Sequence, residues 1–254
     1  MKSLFQTLTV LASVVAAPAF AAEAEVVEIP LAQVFVPATG FDDNDSVEIF
    51  LDGTLPNSCY TLEKHKLVSD LPRRHFAIQQ FAIRNRDGIC DGTSPLPAGF
   101  SSPVPFTVPV TLGRLERGLY GVSFRQSLTG PSSLRRFRVD AAPVATADSR
   151  FYAMTRNVVV ADVLRVGQPL KIEISGVLNN SCYELEDKVD VEIVDDIVVL
   201  MPTVKMQEKG GACLEVIRPF AKSVLVRALP AKRYLVHVRS MHGRSVNASF
   251  TVTR

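Results

Sequence analysis

Short apolar stretches separated by turn-forming residues run along almost the whole chain. The stretches are rich in Val, Ile, Phe and Tyr, and Gly, Pro, Asn and Asp lie between them, as is typical of β-strands and their turns. The clearest alternation covers residues 183–193, where apolar residues occupy one side, charged residues occupy the other, and Asp187 alone departs from the pattern. Period-two alternation predicts a strand with one buried face. Because helical periodicity is nearly absent after the first twenty or so residues, we expect an all-β protein.

The chain contains the same pattern twice. Residues 53–63 (GTLPNSCYTLE) align with residues 176–186 (GVLNNSCYELE), and the next cysteines, Cys90 and Cys213, keep the same offset of 123. A Pro-Phe pair and a tyrosine then recur at an offset of 114, so the first copy has about nine extra residues after Cys90. An ordered recurrence over more than 100 residues indicates a duplicated domain and not a short-repeat solenoid. We call the copies unit 1 (22–141) and unit 2 (151–254), and residues 142–150 form the predicted linker.

The four cysteines fit into this repeat as two disulfides. Four cysteines permit three pairings, and only Cys59–Cys90 with Cys182–Cys213 treats both units alike. In each unit the first cysteine opens an outgoing strand and the second follows the returning strand, so each disulfide is predicted to staple a hairpin. Closing a loop of this size contributes about 3–4 kcal/mol in the chain-entropy model. The alternative, a zinc site made of four cysteines, lacks any Cys-x-x-Cys spacing.

One tyrosine in each unit lies just inside a strand that follows a turn. These residues, Tyr120 and Tyr234, hold the place of the tyrosine corner in immunoglobulin-like sandwiches. Two features depart from antibody domains, because the chain has no Trp and the predicted disulfides staple hairpins instead of bridging two sheets.

The order Pro-Asn-Ser-Cys-Tyr, a later Cys, Pro-Phe and Gly-x-Tyr-x-Val resembles secreted or lipoprotein-type β-sandwich domains of unknown function that are found in many bacteria. Unit 2 departs from this order at Asn179, which replaces the Pro, and at Lys232, which replaces the Gly. The resemblance implies two tandem immunoglobulin- or fibronectin-like β-sandwich domains in an exported protein. It supplies no catalytic residues.

The first 21 residues have the pattern of a cleavable secretory signal. Lys2 precedes a mostly apolar run at 4–17, and Ala19-Phe20-Ala21 supplies the small-x-small site before Ala22. The run is too short to span a membrane, and we expect no transmembrane segment further on. The first cysteine is Cys59, so we expect no lipid anchor. Export to the periplasm or out of the cell agrees with the predicted disulfides.

The charge balance gives no indication of a nucleic-acid partner. The chain has 28 basic and 26 acidic residues, and Lys2 lies in the predicted signal. Its basic clusters are Arg73-Arg74 and residues 135–138, which are too short for the basic face of a nucleic-acid binder. We interpret both clusters as solvated strand ends and turns.

Two loops are candidate binding sites. The loop 91–105 follows Cys90 and carries three apolar side chains, Leu96, Phe100 and Val104, which suit a protein or glycan partner. The alternative is a loop that folds over the hydrophobic edge of its own sheet. A second, acidic loop contains Asp42, Asp43 and Asp45 and is a candidate for a weak Ca²⁺ site, although it does not match the EF-hand pattern.

Catalytic chemistry is not indicated by the remaining polar residues. The four histidines (His65, His75, His237 and His242) do not recur between the units. We expect His237 and His242 at the surface, and the alternative is a metal ion shared by these two across a predicted turn. Ser58 and Ser181 do recur, but without a Gly-x-Ser-x-Gly elbow, so we interpret them as parts of a turn with Asn57 and Asn180. Apart from the candidate Ca²⁺ loop, no catalytic, metal or cofactor site is predicted.

The leading hypothesis from the sequence is an exported, non-enzymatic binding or structural protein. One alternative is a subunit of an envelope or surface-appendage complex that pairs through sheet edges. Another is an enzyme or enzyme inhibitor with a site at the domain interface.

Overall fold

The computed structural model describes residues 25–37, 43, 45–86, 88–142, 151–207 and 213–254. The predicted signal (1–21), most of the predicted linker (143–150) and Asp42 lie outside the described residues. The protein is all-β, as the alternation predicted, and the helical segments described are two single 3-10 turns, Gly88–Cys90 and Met241–Gly243.

Unit 1 places two sheets around one hydrophobic core. One sheet has the order β2-β3-β7, and in the other β6 pairs with β1, β4, β5 and β8, while β9 pairs with β8. The core fills from alternate positions of facing strands, such as Val47, Ile49 and Leu51 against Phe76 and Ile78. The strands are β1 Glu25–Ile29, β2 Leu31–Phe35, β3 Ser46–Leu55, β4 Tyr60–Leu62, β5 Lys66–Asp70, β6 His75–Arg84, β7 Val104–Arg114, β8 Gly118–Arg125 and β9 Ser132–Val139.

Unit 2 repeats this plan around a second core. Its sheets have the orders β10-β12-β17 and β11-β19-β18-β15-β14, with a short β13-β16 ladder beside them. Ile172, Ile174, Val198, Val236 and Phe250 lie in this core. The strands are β10 Met154–Val160, β11 Val163–Arg165, β12 Leu170–Leu178, β13 Tyr183–Leu185, β14 Asp190–Val194, β15 Ile197–Met201, β16 Val204–Met206, β17 Arg218–Val226, β18 Lys232–Ser240 and β19 Arg244–Thr253.

Both units contain the same parallel strand pair. In unit 1, β6 runs parallel to β8 with His75 opposite Gly121, and in unit 2, β15 runs parallel to β18 with Ile197 opposite Leu235. The sheets of the immunoglobulin fold are antiparallel. Each unit is therefore built as two sheets around one core, with a strand pairing that differs from that of antibody domains.

The structure forms the two predicted disulfides. Cys59 bonds to Cys90 and Cys182 bonds to Cys213, with Cα atoms 5.6 and 5.5 Å apart. The unit 1 hairpin turns at residues 71–74, between β5 and β6, and the unit 2 hairpin turns at 195–196, between β14 and β15. Each disulfide lies at the open end of its hairpin, as the repeat predicted.

The predicted continuous strand at 183–193 is interrupted. Strand β13 ends at Leu185 and β14 begins at Asp190, and the exposed Asp187 lies in the gap. The two pieces pair with different partners, β13 with β16 and β14 with β15. Val191, predicted on the buried side, is exposed. The charged residue that departed from the alternation therefore marks a break in the strand.

The recurring Asn-Ser-Cys segment is a turn, as the sequence indicated. The side-chain Oδ1 of Asn57 accepts a hydrogen bond from the Cys59 N–H at 2.9 Å, and Asn180 does the same for Cys182 at 2.7 Å. This is an Asx turn. The N–H of Ser58 donates to the Phe100 carbonyl at 3.1 Å, which ties the 91–105 loop to the turn.

The recurring tyrosines and glycines have structural roles. Tyr120 donates its hydroxyl to the Glu116 carbonyl at 2.9 Å, and Tyr234 donates to the Pro230 carbonyl at 3.2 Å, so both make the same contact four residues back. Gly53 lies opposite Phe106 on the neighbouring strand, where a Cβ atom at position 53 would come within 2.5 Å of the Phe106 ring. The repeated Gly and Pro-Phe elements therefore form one cross-strand contact.

Candidate functional site: the groove between the two units

The two units pack together through the outer faces of two sheets. Phe35 and Phe50 of unit 1 contact Ile197, Val199 and Leu235 of unit 2, and all five are almost completely buried. Their neighbours along each strand face the unit cores instead, so β3 and β15 are covered on both sides. Burial on both faces explains why residues 197–201 are all apolar. A strand with only one buried face would instead alternate apolar and polar residues.

A buried ion pair joins the units beside this apolar patch. The Arg233 side chain contacts Asp52 through two hydrogen bonds, Nε to Oδ2 at 2.7 Å and Nη2 to Oδ1 at 2.8 Å. Thr107 donates its hydroxyl to Asp52 Oδ1 at 3.0 Å, and Arg233 Nη2 also donates to Ser249 Oγ at 3.0 Å. Asp52 is only 1% exposed. A bidentate arrangement of this kind fixes both distance and orientation.

A second set of hydrogen bonds runs along the same interface. Ser245 donates to Glu48 Oε2 at 2.6 Å, and Asn247 Nδ2 donates to Ser245 Oγ at 2.9 Å. Asn247 Oδ1 in turn lies 2.7 Å from His237 Nδ1. The His237 ring meets the Phe50 ring edge-on, with centroids 5.7 Å apart.

His237 is held as a neutral, buried imidazole. Because Asn247 Nδ2 donates to Ser245, its Oδ1 is the acceptor, and His237 Nδ1 carries the proton. Among the described residues, His237 Nε2 has no hydrogen-bond partner. Burial, together with the positive charge of Arg239, lowers the pKa of His237 to about 3, although the hydrogen bond to Asn247 opposes the shift. The prediction that His237 lies at the surface is wrong. Its position among the apolar residues Leu235, Val236 and Val238 could have indicated that it is buried.

Asp196 makes a third contact between the units. Its carboxylate, which is nearly buried, lies 2.5 Å from Arg135 Nη2 of unit 1 and 3.8 Å from Lys232 Nζ. The sequence interpretation of residues 135–138 as solvated strand ends is therefore wrong for Arg135. Arg136 and Arg138 are exposed, as expected.

A groove of about 880 Å³ opens where β7 of unit 1 approaches β19 of unit 2. Unit 1 contributes Pro105, Phe106, Thr107 and Pro109 to its walls. Unit 2 contributes a row of small polar side chains at alternate positions of β19, which point to the same side of a strand at steps of about 7 Å. The row is Ser245, Asn247, Ser249 and Thr251, with Arg156, Asp162 and Val163 nearby.

The predicted binding loop leads into this groove. Phe100 is 44% exposed and Leu96 is half-buried. Val104 begins β7 and packs against the core of unit 1, and the next residue, Pro105, already lines the groove. A binding role for Leu96, Phe100 and Val104 stays a prediction.

The acidic loop is engaged in contacts within unit 1 and the start of the linker. The N–H of Asp43 donates to the Asp140 carbonyl at 2.9 Å, and its Oδ1 accepts from the Ala142 N–H at 2.9 Å. In the part of the chain that the structure describes, no three His, Cys, Asp or Glu side chains are grouped as metal ligands.

Comparison with known proteins adds no relative, since the chain matches no family model, no curated protein and no solved structure. Within the described ranges, no helix is long and apolar enough to cross a membrane. The two disulfides indicate an oxidising, exported environment. The fold and the groove therefore define an all-β, disulfide-bonded protein of two packed units.

Proposed function

We propose that this chain is an exported, non-enzymatic binding protein of the periplasm or extracellular space, and that the groove between its units holds the ligand. The observation that carries the proposal is that the two walls of the groove belong to different units fixed by the Asp52–Arg233 ion pair. A groove held open by a buried contact is formed before the ligand arrives, as ligand sites usually are.

The lining favours an extended, uncharged ligand. The polar row of β19 spans about 20 Å at strand spacing, and Pro105 and Pro109 give the opposite wall an apolar surface. Ser245, Asn247 and Ser249 already hydrogen-bond to other side chains, so a ligand would use Thr251 and the remaining hydrogen-bonding capacity of these three. Arg233 is already paired with Asp52, and the exposed Arg156 and Asp162 add one charge of each sign, so the lining has no excess of either charge. A glycan strand or an extended peptide has the matching shape and hydrogen-bonding groups.

Blocking the groove is expected to abolish binding without unfolding the chain. Val163 lines the groove and is 61% exposed, so Val163→Trp adds bulk to the groove at little cost in stability. Panels of neutral oligosaccharides and linear peptides are screened first against the wild-type chain. We then expect Val163→Trp to bind the selected probe about tenfold more weakly or worse, with an unchanged melting temperature.

Met206→Trp is the matched control, because Met206 is similarly exposed and lies on β16, outside the groove. It should bind the probe as the wild type does. The groove is not the site if Val163→Trp binds as tightly as the wild type, or if neither panel yields a binder.

A second candidate function, a subunit that assembles with other subunits, is favoured by large apolar side chains exposed on strands, among them Leu119 on β8 and Leu225 on β17. Pairing through the β7 edge is disfavoured, because Pro105 and Pro109 have no N–H to donate there.

A further inference from the structure

Strand β19 of unit 2 is paired along almost its whole length on one side and only at its end on the other. On the first side it pairs with β18, from residue 244 to residue 252. On the second side β11 lies parallel to it and pairs with residues 251–253 alone. Among the described residues, no other strand pairs with β19. Its edge is therefore open beside the groove, where Ser245, Asn247 and Ser249 lie.

The register of the sheet shows which main-chain groups of β19 face this open edge. In an antiparallel pair, successive residues turn their N–H and C=O groups alternately toward the partner strand and away from it. The Leu235 N–H donates to the Asp196 carbonyl at 3.0 Å, so Leu235 and its partner Ser249 turn their main-chain groups away from each other. The Thr251 N–H donates to the Asp162 carbonyl at 2.8 Å, directly before β11, which gives the same alternation. The residues whose main-chain groups face the open edge are Ser245, Asn247 and Ser249.

These main-chain groups distinguish a peptide from a glycan as the ligand. Within the described ranges, no backbone group pairs with the N–H or C=O of these three residues on the open side. Their side chains, in contrast, already take part in hydrogen bonds across the interface. A strand edge with unpaired groups is recognised by an extended polypeptide, because its own main chain repeats the matching donors and acceptors at the same spacing. A glycan has hydroxyl groups without this repeat.

The walls around the open edge favour an uncharged, largely apolar peptide. A strand added in the plane of the sheet directs its side chains alternately to the two faces of that sheet. On the face toward unit 1 the groove is lined by Pro105 and Pro109, and on the other face by Val246 and Ala248. The two exposed charges of the lining have opposite signs. Because prolines have no N–H, β7 does not offer a competing ladder, and the peptide pairs with β19.

We propose that the groove binds an extended, uncharged peptide by adding it as a strand to the open edge of β19 from Ser245 to Ser249. This inference rests on the proposed function, since it names the ligand class of the same groove. The chain already uses this edge for strand pairing, because β11 pairs with the residues of β19 that directly follow the groove. The main-chain hydrogen bonds fix the register of the peptide, and its side chains contact the two walls.

Hydrogen exchange at single amides tests the pairing, with a capped heptapeptide of alternating serine and valine as the probe. In the free chain, the amides of Ser245, Asn247 and Ser249 are expected to exchange faster than those of Val246 and Ala248, which face β18. A saturating concentration of the probe is expected to slow exchange at the first three amides by about tenfold or more. The same peptide with every peptide nitrogen methylated keeps its side chains but cannot donate, and it should give no such protection.

A proline variant and its matched control test the same hydrogen bonds from the side of the protein. Asn247→Pro removes one N–H from the open edge and leaves the ladder with β18 intact, because residue 247 does not donate to β18. Asn247→Ala loses the same side-chain contact with His237 but keeps the N–H. Asn247→Pro is therefore expected to bind the probe about tenfold more weakly than Asn247→Ala. The melting temperatures of both variants show whether they are folded.

The outcomes separate strand addition from the broader proposal of a ligand groove. Strand addition is wrong if the probe leaves the three edge amides unprotected at millimolar concentration, or if the methylated peptide binds as tightly as the probe. The groove remains the ligand site in that case if a neutral oligosaccharide or another peptide binds and Val163→Trp weakens that binding. If neither the probe nor any member of the two panels binds, both the groove and the strand addition are overturned.

Discussion

Arg233→Met is expected to lower the free energy of unfolding by about 3–5 kcal/mol, the usual cost of removing one partner of a buried ion pair. The Asp52 carboxylate is 1% exposed and both its oxygens accept from Arg233. Without the guanidinium, Thr107 remains as its one described side-chain donor. The carboxylate then stays buried as an unpaired charge or separates the units to reach water. Chemical denaturation of the variant and the wild type measures the difference.

Two further variants identify the cause. The double variant Asp52→Leu with Arg233→Met is expected to recover most of the lost stability, because an apolar pair of similar volume is often neutral at such a site. Arg73→Met removes an ion pair with Asp70 at an exposed position and should cost less than about 1 kcal/mol. If Arg233→Met costs no more than Arg73→Met, the ion pair does not hold the units together.

The stability of the protein is expected to fall as the pH drops from 6.5 towards 3. Burial lowers the pKa of His237 from 6.5 to about 3, so in this window the unfolded chain binds a proton that the folded chain does not. Unfolding is therefore favoured by acid, by up to about 1.4 kcal/mol for each pH unit. Above pH 6.5 the residue is neutral in both states and the effect is absent.

Replacing the titrating group isolates this effect from that of the carboxylates. We expect His237→Gln to show a shallower decline in the free energy of unfolding between pH 6.5 and 3 than the wild type, measured by denaturation at a series of pH values. His242→Asn is the control, because His242 is exposed and should leave the slope unchanged. Equal slopes for His237→Gln and the wild type would mean that the buried histidine is protonated without cost.

The features that recur in both units were the ones that the sequence predicted. The pairing of Cys59 with Cys90, the turn at Asn57 and the contact-making position of Tyr120 all depend on residues that appear twice at matching places. Each is also local, since a turn, a hairpin and a strand entry are specified by neighbouring residues. Agreement between two copies of a local pattern made these predictions specific.

The interface was not predicted because it depends on residues that do not recur. Phe50 corresponds to Glu173 and Asp52 to Ser175 at the same offset, and the strand registers match Arg233 with Leu119. A single unit gives no reason for Phe50 to lie on an outward position of β3. The difference between the copies could have predicted the interface. An outward-facing position that is apolar in one unit and charged in the other indicates that this face is covered in the first unit and exposed in the second.

The candidate groove could not be predicted from the sequence either. Its walls come from β7 and β19, which are distant in the chain and belong to different units. One hypothesis from the sequence did locate a site at the domain interface, but it did not identify the residues of that site. The alternating row Ser245, Asn247, Ser249 and Thr251 was visible in the sequence, but alternating small polar residues are also typical of a solvated strand face.

The most direct test of this account is a nuclear Overhauser measurement between the rings of Phe50 and His237, in a chain with labelled phenylalanine, tyrosine and histidine. These rings belong to different units and their centroids are 5.7 Å apart. We predict clear cross-peaks between them, of strength comparable to those of the Tyr234–Phe250 pair within unit 2, whose centroids are 5.3 Å apart. If the Tyr234–Phe250 contact is seen and the Phe50–His237 contact is not, the two units do not pack through these faces, and the groove between them does not exist.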